Sequence, residues 1–366
     1  GAVSALGFFY SRYALRDGND FQSSAPFGEY ISNAAEILLK STDKILQESS
    51  YNALGDLCLF QAVKPAVFEK LGGFKAIIDK TADIAKSGSE SAALAVGQMA
   101  TILEESTTET TSDEKSLLEH TSERLHQLHD IRQAETHFSV GEALSYAAVG
   151  WRSKALIHRI DVESSMPTGP ERTDALRKLL HRTLEDCKQT KPSLKKASVI
   201  WLLCFVQFCG HLEEVQSQLA ACQVAFKKCL SDRDELVQET ASRGLGLVYE
   251  KGDRNLKDDL VRDLIGSFSS DNKAQLAGSV TAETQLFEPG ALPTGDGSVT
   301  TYKDIMSLAA EVGDSSLVYR FMSLASSNAI WSSRAAFGRF GLSNVLSDSS
   351  VDGYLASNPK LYPKLY

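Results

Sequence analysis

Short apolar segments that contain a glycine or an alanine recur along this chain at a nearly constant spacing. Gly7 and Gly55 are 48 residues apart, Gly55 and Gly97 are 42 apart, and Ala197 and Ala241 are 44 apart. A repeat of about 40 to 47 residues, each unit a helix pair, is typical of HEAT and armadillo arrays. The spacing therefore predicts an all-α fold, an α-solenoid of HEAT- or armadillo-like helix pairs with one irregular insertion.

The stretch 234–252 shows the pattern most clearly. Its apolar and small residues follow the spacing i, i+4, i+7, i+8, i+11 of one helix face: Val237, Ala241, Gly244, Leu245 and Val248. Asp232 or Asp234 is expected to cap the start of this helix, and Gly252 marks its end. A glycine inside a helix costs about 1 kcal/mol relative to alanine, so we expect a neighbouring helix to approach closely here.

The helix pairs are predicted to form three blocks. HEAT-like repeats are expected over 1–103, 117–269 and 302–366, and the last block ends within a further repeat. Residues 104–116, which are acidic and rich in Ser and Thr, are predicted to form an exposed linker. Residues 270–301 are predicted to form an inserted loop that projects from one edge of the array.

Hydrophobic periodicity places the individual helices within these blocks. Pairs are predicted at 27–47 with 48–62, at 74–86 with 89–103, and at 173–188 with 192–209. A long polar helix is predicted at 114–134, and helices at 212–230 and 233–251 are predicted to repeat the paired arrangement. Ile45 and Leu46 are assigned to the apolar face of the helix at 27–47.

Composition narrows the classes of partner and compartment. The formal net charge of −9 and the pI near 5.4 give no sign of a nucleic-acid footprint or a polybasic membrane surface. The acidic balance slightly favours basic protein partners. Six cysteines without a C-x-x-C pair predict reduced, buried thiols of an intracellular protein: Cys58, Cys187, Cys204, Cys209, Cys222 and Cys229. The longest apolar run, 199–208, is half of a membrane span and is predicted to be a buried helix.

Two patterns resemble metal or phosphate sites without completing them. Gly290 and Gly295 have the glycine spacing of a phosphate-binding loop, but Asp296 and Gly297 stand where that loop needs Lys and Ser or Thr. The segment is therefore predicted to be a turn. His126 and His129, with Glu123 nearby, lack a third fixed ligand and are interpreted as surface histidines of an exposed helix.

Nothing else in the sequence has the arrangement of a catalytic site. Asp258, Asp259, Arg262 and Asp263 are interpreted as a solvated, salt-bridged face. No nucleophile motif and no dinucleotide fingerprint is found, so the chain is predicted to be non-enzymatic, with no cofactor and no metal.

Aromatic residues near the insertion are the candidates for partner binding, because buried aromatic side chains often dominate protein interfaces. They are Phe287, Tyr302 and Tyr319. The alternative is that they pack the insertion onto the solenoid. Trp151, Trp201 and Trp331 lie on predicted repeat helices and are interpreted as core.

Three phrases of the sequence resemble a known family. They are FSVGEALSYAAVG (138–150), ELVQETASRGLGLVYEKGD (235–253) and a long run over 286–338 that begins LFEPGALPTGDGSVTTYKDIMSLAAEVGD. Together they resemble the large HEAT-repeat proteasome adaptor and scaffold proteins, the family called extracellular mutant twenty-nine. The similarity is specific from about His137 to Tyr366 and general before that, and the family chain is several times longer.

The resemblance implies a function that the residues alone do not. It implies a non-enzymatic scaffold that binds the 26S proteasome, helps to hold the regulatory particle to the core particle, and acts in proteasome quality control. It also implies a protein of cytoplasm and nucleus, with links to endosomes, the endoplasmic reticulum and vesicle or motor-linked proteins, and without membrane insertion. The alternative from another class is a HEAT-repeat transport or vesicle adaptor, such as a karyopherin-like carrier.

Overall fold

A computed structural model describes residues 1–17, 24–105, 116–159, 167, 169–170, 172, 174–230, 232–257 and 259. Throughout these residues the regular structure is helical, without β-strand, as the spacing predicts. The chain divides into two compact units, Gly1–Val215 and Gln216–Tyr366.

The described α-helices are numbered here in chain order. They are α1 (Ala2–Asp17), α2 (Ala25–Lys40), α3 (Lys44–Leu59), α4 (Phe74–Ala85), α5 (Glu90–Ala100), α6 (Leu117–His126), α7 (Ala134–Val149), α8 (Ala175–Asp186), α9 (Pro192–Cys209), α10 (Glu213–Gln216), α11 (Leu219–Cys229) and α12 (Glu235–Lys251). Short 3₁₀ helices cover Pro65–Leu71, Gln127–Asp130, Gly150–Arg152 and Lys154–Arg159.

The first unit is a two-layer α-solenoid. Helices α1, α3, α5, α7 and α9 each pack against the next and form one layer, called here the odd layer. Helices α2, α4, α6 and α8 form the even layer, and each packs against the odd helix that follows it in the chain. The repeating unit is therefore a helix pair with one member in each layer, which confirms the predicted fold class.

Side-chain caps decide where several helices begin. Asp43 Oδ1 accepts hydrogen bonds from the backbone nitrogens of Ile45 (2.8 Å) and Leu46 (3.3 Å), so α3 starts at Lys44. Ile45 and Leu46 thus belong to the first turn of α3, where they are 75% and 43% exposed. Their assignment to the apolar face of the preceding helix was wrong, because the cap at Asp43 ends that helical period.

Two long predicted helices are broken in the structure. The helix predicted at 114–134 ends at His126 and continues as the 3₁₀ turn Gln127–Asp130. The tightening begins at Gln127, whose backbone N–H bonds both Glu123 O and Leu125 O. The helix predicted at 212–230 is divided into α10 and α11, and Gln218 between them has a non-helical φ of −110° and ψ of 4°.

Small residues form a ladder through the odd layer. A Cβ atom added to Gly7 of α1 would lie 2.6 Å from Ala53 Cβ of α3, and one added to Gly97 of α5 would lie 2.5 Å from Ala143 Cα of α7. Gly55 of α3 likewise faces Ala95 and Gln98 of α5, and Gly141 of α7 faces Cys204 and Trp201 of α9. Distances below 3.0 Å leave no room for a side chain, so the recurring glycines of the sequence mark real points of close helix approach.

The second unit contains the same device in its described helices α11 and α12. Asp234 Oδ1 caps α12 by accepting from Leu236 N (3.0 Å) and Val237 N (3.3 Å). The predicted apolar face of α12 is buried, and a Cβ on Gly244 would meet the Phe226 ring of α11 at 2.4 Å. The expected reason for this glycine, close approach of a neighbouring helix, is confirmed.

Two residues that lie between α7 and α8 in the sequence, Trp151 and Arg172, bind the C-terminal ends of three odd helices. Trp151 Nε1 donates to Leu59 O at the end of α3 (2.7 Å). The Arg172 guanidinium donates to four carbonyl oxygens, those of Ala100, Leu103, Tyr146 and Ala147, at the ends of α5 and α7. A cation is favourable at helix C-termini, where carbonyl groups lack helical partners. Burial lowers the Arg172 pKa to about 10, so the side chain stays charged at neutral pH.

Substitution of the ladder glycine Gly97 by alanine should destabilise the protein. Because the new Cβ would meet the backbone of α7, the helices must move apart, and we expect a loss of about 1 to 3 kcal/mol in the free energy of unfolding. Urea denaturation followed by circular dichroism measures this loss. The control is Gly28→Ala in α2, where nothing lies within 4 Å and a gain of about 0.5 to 1 kcal/mol is expected. Equal effects of the two substitutions would contradict the ladder.

Replacement of Arg172 by Met should destabilise the protein by at least about 2 kcal/mol, because it leaves buried carbonyl groups without donors. The same denaturation assay applies. Arg177→Met is the matched control, since Arg177 is exposed and forms a local i, i+3 pair with the exposed Asp174. A small effect at both positions would show that Arg172 does not hold α5 and α7 together.

Candidate interaction surface

The even layer carries a network of charged side chains that begins between α4 and α6. Asp79 Oδ1 of α4 lies 2.8 Å from His120 Nε2 and 3.0 Å from Arg124 Nε, both of α6. Arg124 also contacts Asp83 Oδ1 at 2.5 Å. One guanidinium thus joins two carboxylates that lie one helical turn apart on α4.

The network continues from α6 to α8. Glu119, Glu123 and His126 occupy one face of α6 at spacing i, i+4, i+7 and meet partners on α8 at spacing i, i+4, i+8. The pairs are Glu119–Lys178 (3.5 Å), Glu123–Arg182 (2.8 Å) and His126–Asp186 (2.7 Å). Helical periodicity on both elements therefore aligns three polar pairs along one contact.

A cleft of about 230 Å³ lies beside these pairs. Leu118, Ala175 and Leu179 supply its apolar lining, and the acidic side chains of α6 face the basic side chains of α8. The volume is below the 300 to 1,000 Å³ of typical small-molecule sites. Since four of its five charged side chains form the pairs Glu119–Lys178 and Glu123–Arg182, the cleft has the character of a seam between helices more than that of an active site.

The histidines singled out from the sequence are members of this network. His126 Nδ1 accepts from Arg182 (2.9 Å), and its Nε2 donates to Asp186. His129 Nδ1 donates to His126 O (2.9 Å), and its Nε2 accepts from Lys191 Nζ (3.0 Å). Their side chains are only 12% and 17% exposed, so the interpretation as surface histidines of an exposed helix was wrong. The sequence shows the polarity of α6 but not that α8 covers its charged face.

The described residues contain no set of side chains arranged to bind a metal ion or to act as a nucleophile. Those residues hold no cluster of three or more His, Cys, Asp or Glu side chains arranged for a metal ion. All six cysteines are buried and none forms a disulfide bond, which confirms the predicted burial. Burial raises the pKa of Cys209 and of Cys222 to about 12 and raises the pKa of Cys58 and Cys204 as well, so these thiols stay protonated at neutral pH.

Several predicted features lie outside the described residues. These are the partner-binding candidates Phe287, Tyr302 and Tyr319, the insertion 270–301 with Gly290 and Gly295, the acidic group Asp258, Arg262 and Asp263, the linker segment 106–115, the repeats at 302–366, and Trp331. Of the other tryptophans, Trp201 is fully buried and Trp151 is 8% exposed, so their assignment to the core is confirmed.

The structure also shows an apolar surface that sequence reasoning missed. On α1, Phe8 and Phe9 are 53% and 56% exposed, and Tyr13 stacks on Phe9 with ring centroids 5.7 Å apart. Arg12 lies 3.6 Å from the centroid of the Phe8 ring, a cation–π contact. The run of apolar residues in 2–10 is visible in the sequence, but it does not show which side α3 covers. Within the described helices, none has the length and hydropathy required to cross a membrane.

His137 gives this region an acid sensitivity that can be measured. Its Nε2 donates to Ile131 O at 2.9 Å, and desolvation by burial, opposed by that bond, lowers its pKa below 6.5. A lowered folded-state pKa contributes stability that is present above the unfolded pKa near 6.5 and is lost as pH falls. Between pH 6.5 and 5, we expect His137→Gln to reduce the decline in unfolding free energy by up to about 1.4 kcal/mol per pH unit.

Urea denaturation across this pH range tests the expectation. The native chain is the reference for the slope, and His181→Gln, at an exposed position of α8, controls for the loss of a histidine as such. An unaltered slope in the His137 variant would show that its protonation is not coupled to folding.

Several known proteins resemble this chain in sequence over part of their length. No family model matches the chain. "Proteasome component ECM29" of Saccharomyces cerevisiae is 45% identical over 258 residues, which cover 67% of this chain and 14% of the yeast protein. "Proteasome adapter and scaffold protein ECM29" of Homo sapiens is 36% identical over 246 residues, covering 65% of this chain and 13% of the human protein. The Drosophila melanogaster homolog is 38% identical over 180 residues, 48% of this chain and 9% of that protein.

The chain spans only a small part of the length of these curated relatives. An engineered protein of known crystal structure aligns over 98% of both chains with 14% identity, but its TM-score of 0.26 carries no argument about the fold. These relatives share the name ECM29 and are all named as proteasome proteins, so the resemblance to this family of proteasome adaptor and scaffold proteins is confirmed over one segment of those proteins.

Proposed function

We propose that this chain is a segment of a non-enzymatic scaffold that binds the 26S proteasome. In this proposal the whole protein tethers the regulatory particle to the core particle and acts in proteasome quality control. The observation that carries the proposal is the 45% identity over 258 residues to a yeast proteasome component. Identity at this level over so long a segment supports a shared role in the longer protein.

The architecture is suited to a scaffold. The odd layer is built by close helix contacts at small residues, which fix neighbouring repeats relative to one another within the first unit. Ionisable groups of the even layer form ion pairs between helices, and Arg172 binds the carbonyl groups at helix ends. This use of charge for structure supports a docking role in preference to catalysis.

The carrier alternative has less support. The human relative is named an adapter and scaffold, and no relative reported above is named a transport factor.

We propose residence in cytoplasm and nucleus, where proteasomes act, with additional association with endosomes, the endoplasmic reticulum and vesicle or motor-linked proteins. Fluorescence imaging of the tagged full-length protein tests this distribution.

Proteasome binding can be tested with the full-length protein that contains this chain. Affinity-purified protein is separated on a glycerol gradient, and the fractions are examined for proteasome subunits. We expect it to co-sediment with 26S particles and to bring subunits of both particles. Recovery of cargo and a small GTPase without proteasome subunits would instead support a carrier. Cross-linking within the intact complex then identifies which helices of this segment, if any, touch a subunit.

A further inference from the structure

The contact between α6 and α8 differs from the other contacts of the even layer. Helix α2 packs on α4, and α4 packs on α6, through direct backbone proximity. Helices α6 and α8 share little such proximity, and the cleft of about 230 Å³ lies between them. The even layer therefore has a seam at this point.

Polar side chains bridge the seam. Arg182 and Glu123 are 38% and 30% exposed, and Lys178 and Glu119 are 66% and 49% exposed. Partly exposed ion pairs contribute little individually and weaken as salt screens their attraction. The least exposed bridge is His126–Asp186, at 12% and 15%. The strength of the seam thus depends on electrostatics more than on apolar burial.

The odd layer is continuous beneath the seam. Helix α7 packs against both α5 and α9, with Gly97 of α5 against Ala143 and Gly141 of α7 against Cys204. Helices α6 and α8 are each attached to this layer, α6 through α5 and α7 and α8 through α7 and α9. Separation of α6 from α8 can therefore occur by rotation about the α7 contacts while the ladder stays packed.

We propose that the α6–α8 seam is a salt-sensitive hinge of the first unit. The Glu119–Lys178 and Glu123–Arg182 pairs hold it closed at low ionic strength, and their loss widens the cleft. The hinge lets neighbouring repeats change their angle without breaking a helix or exposing the odd layer. This proposal does not rest on proteasome binding, so either can fail without the other.

Hydrogen–deuterium exchange of the intact chain tests the hinge. The Debye length falls from about 30 Å at 0.01 M salt to about 3 Å at 1 M, so exchange is compared between these limits. We expect the backbone amides of α6 and α8 to exchange at least about threefold faster at high salt, because local opening sets their protection. Amides of α3 and α5 are the internal control and should change little.

Charge-neutralising variants separate the ion pairs from a general salt effect. Lys178→Gln combined with Arg182→Gln should raise the exchange of α6 and α8 at low salt and reduce their salt response, of which α6 keeps the part due to the Arg124 pairs with Asp79 and Asp83. Lys40→Gln, which removes the exposed Lys40–Glu36 pair within α2, is the control and should alter neither. The hinge is refuted when salt leaves α6 and α8 unaffected in the native chain, or when the double variant responds to salt as the native chain does.

Discussion

Close backbone approach between successive odd-layer helices is the constraint on which this structure depends. At each step a glycine or alanine stands where the next helix comes nearest, and an added Cβ atom would overlap atoms of that neighbour. Such contacts gain dispersion energy along the whole helix face only when the small residue is in register. The length of one helix pair then fixes the spacing of the small residues, which explains why the sequence carries a period at all.

Helices of the odd layer and helices of the even layer are held to their neighbours by different forces. Helix α5 is buried over nearly all of its length, with Ala93, Val96 and Met99 fully inaccessible, whereas α6 has a narrow apolar stripe. Its polar face is therefore available for pairing with α4 and α8. Salt screening weakens exposed charged pairs and does not weaken apolar burial, so screening acts on the contacts of the even layer and spares those of the odd layer.

The sequence predicted what is local or periodic. The glycines at 7, 55 and 97 and the cap at Asp234 are such features, because each follows from spacing or from the residue at a helix start. Long-range contacts were not predictable in the same way. Arg172 bonds carbonyl groups 25 to 72 residues away in the chain, and no sequence pattern around Arg172 predicts these bonds. The histidines were misassigned for the same reason, since His126 pairs with Arg182 and Asp186 of α8, and His129 pairs with Lys191 at the start of α9.

In the first unit, the polar groups at the C-terminal ends of helices bind side chains of the protein itself. Unpaired carbonyl groups at helix C-termini attract cations, and three such ends lie near one another at α3, α5 and α7. Trp151 and Arg172 donate hydrogen bonds to the carbonyl groups at these ends. Those carbonyl groups therefore stabilise the fold and are not available to a ligand. What these described helices present to a partner is consequently shape, paired charge and the exposed aromatic side chains of α1, which is the chemistry that a docking surface uses.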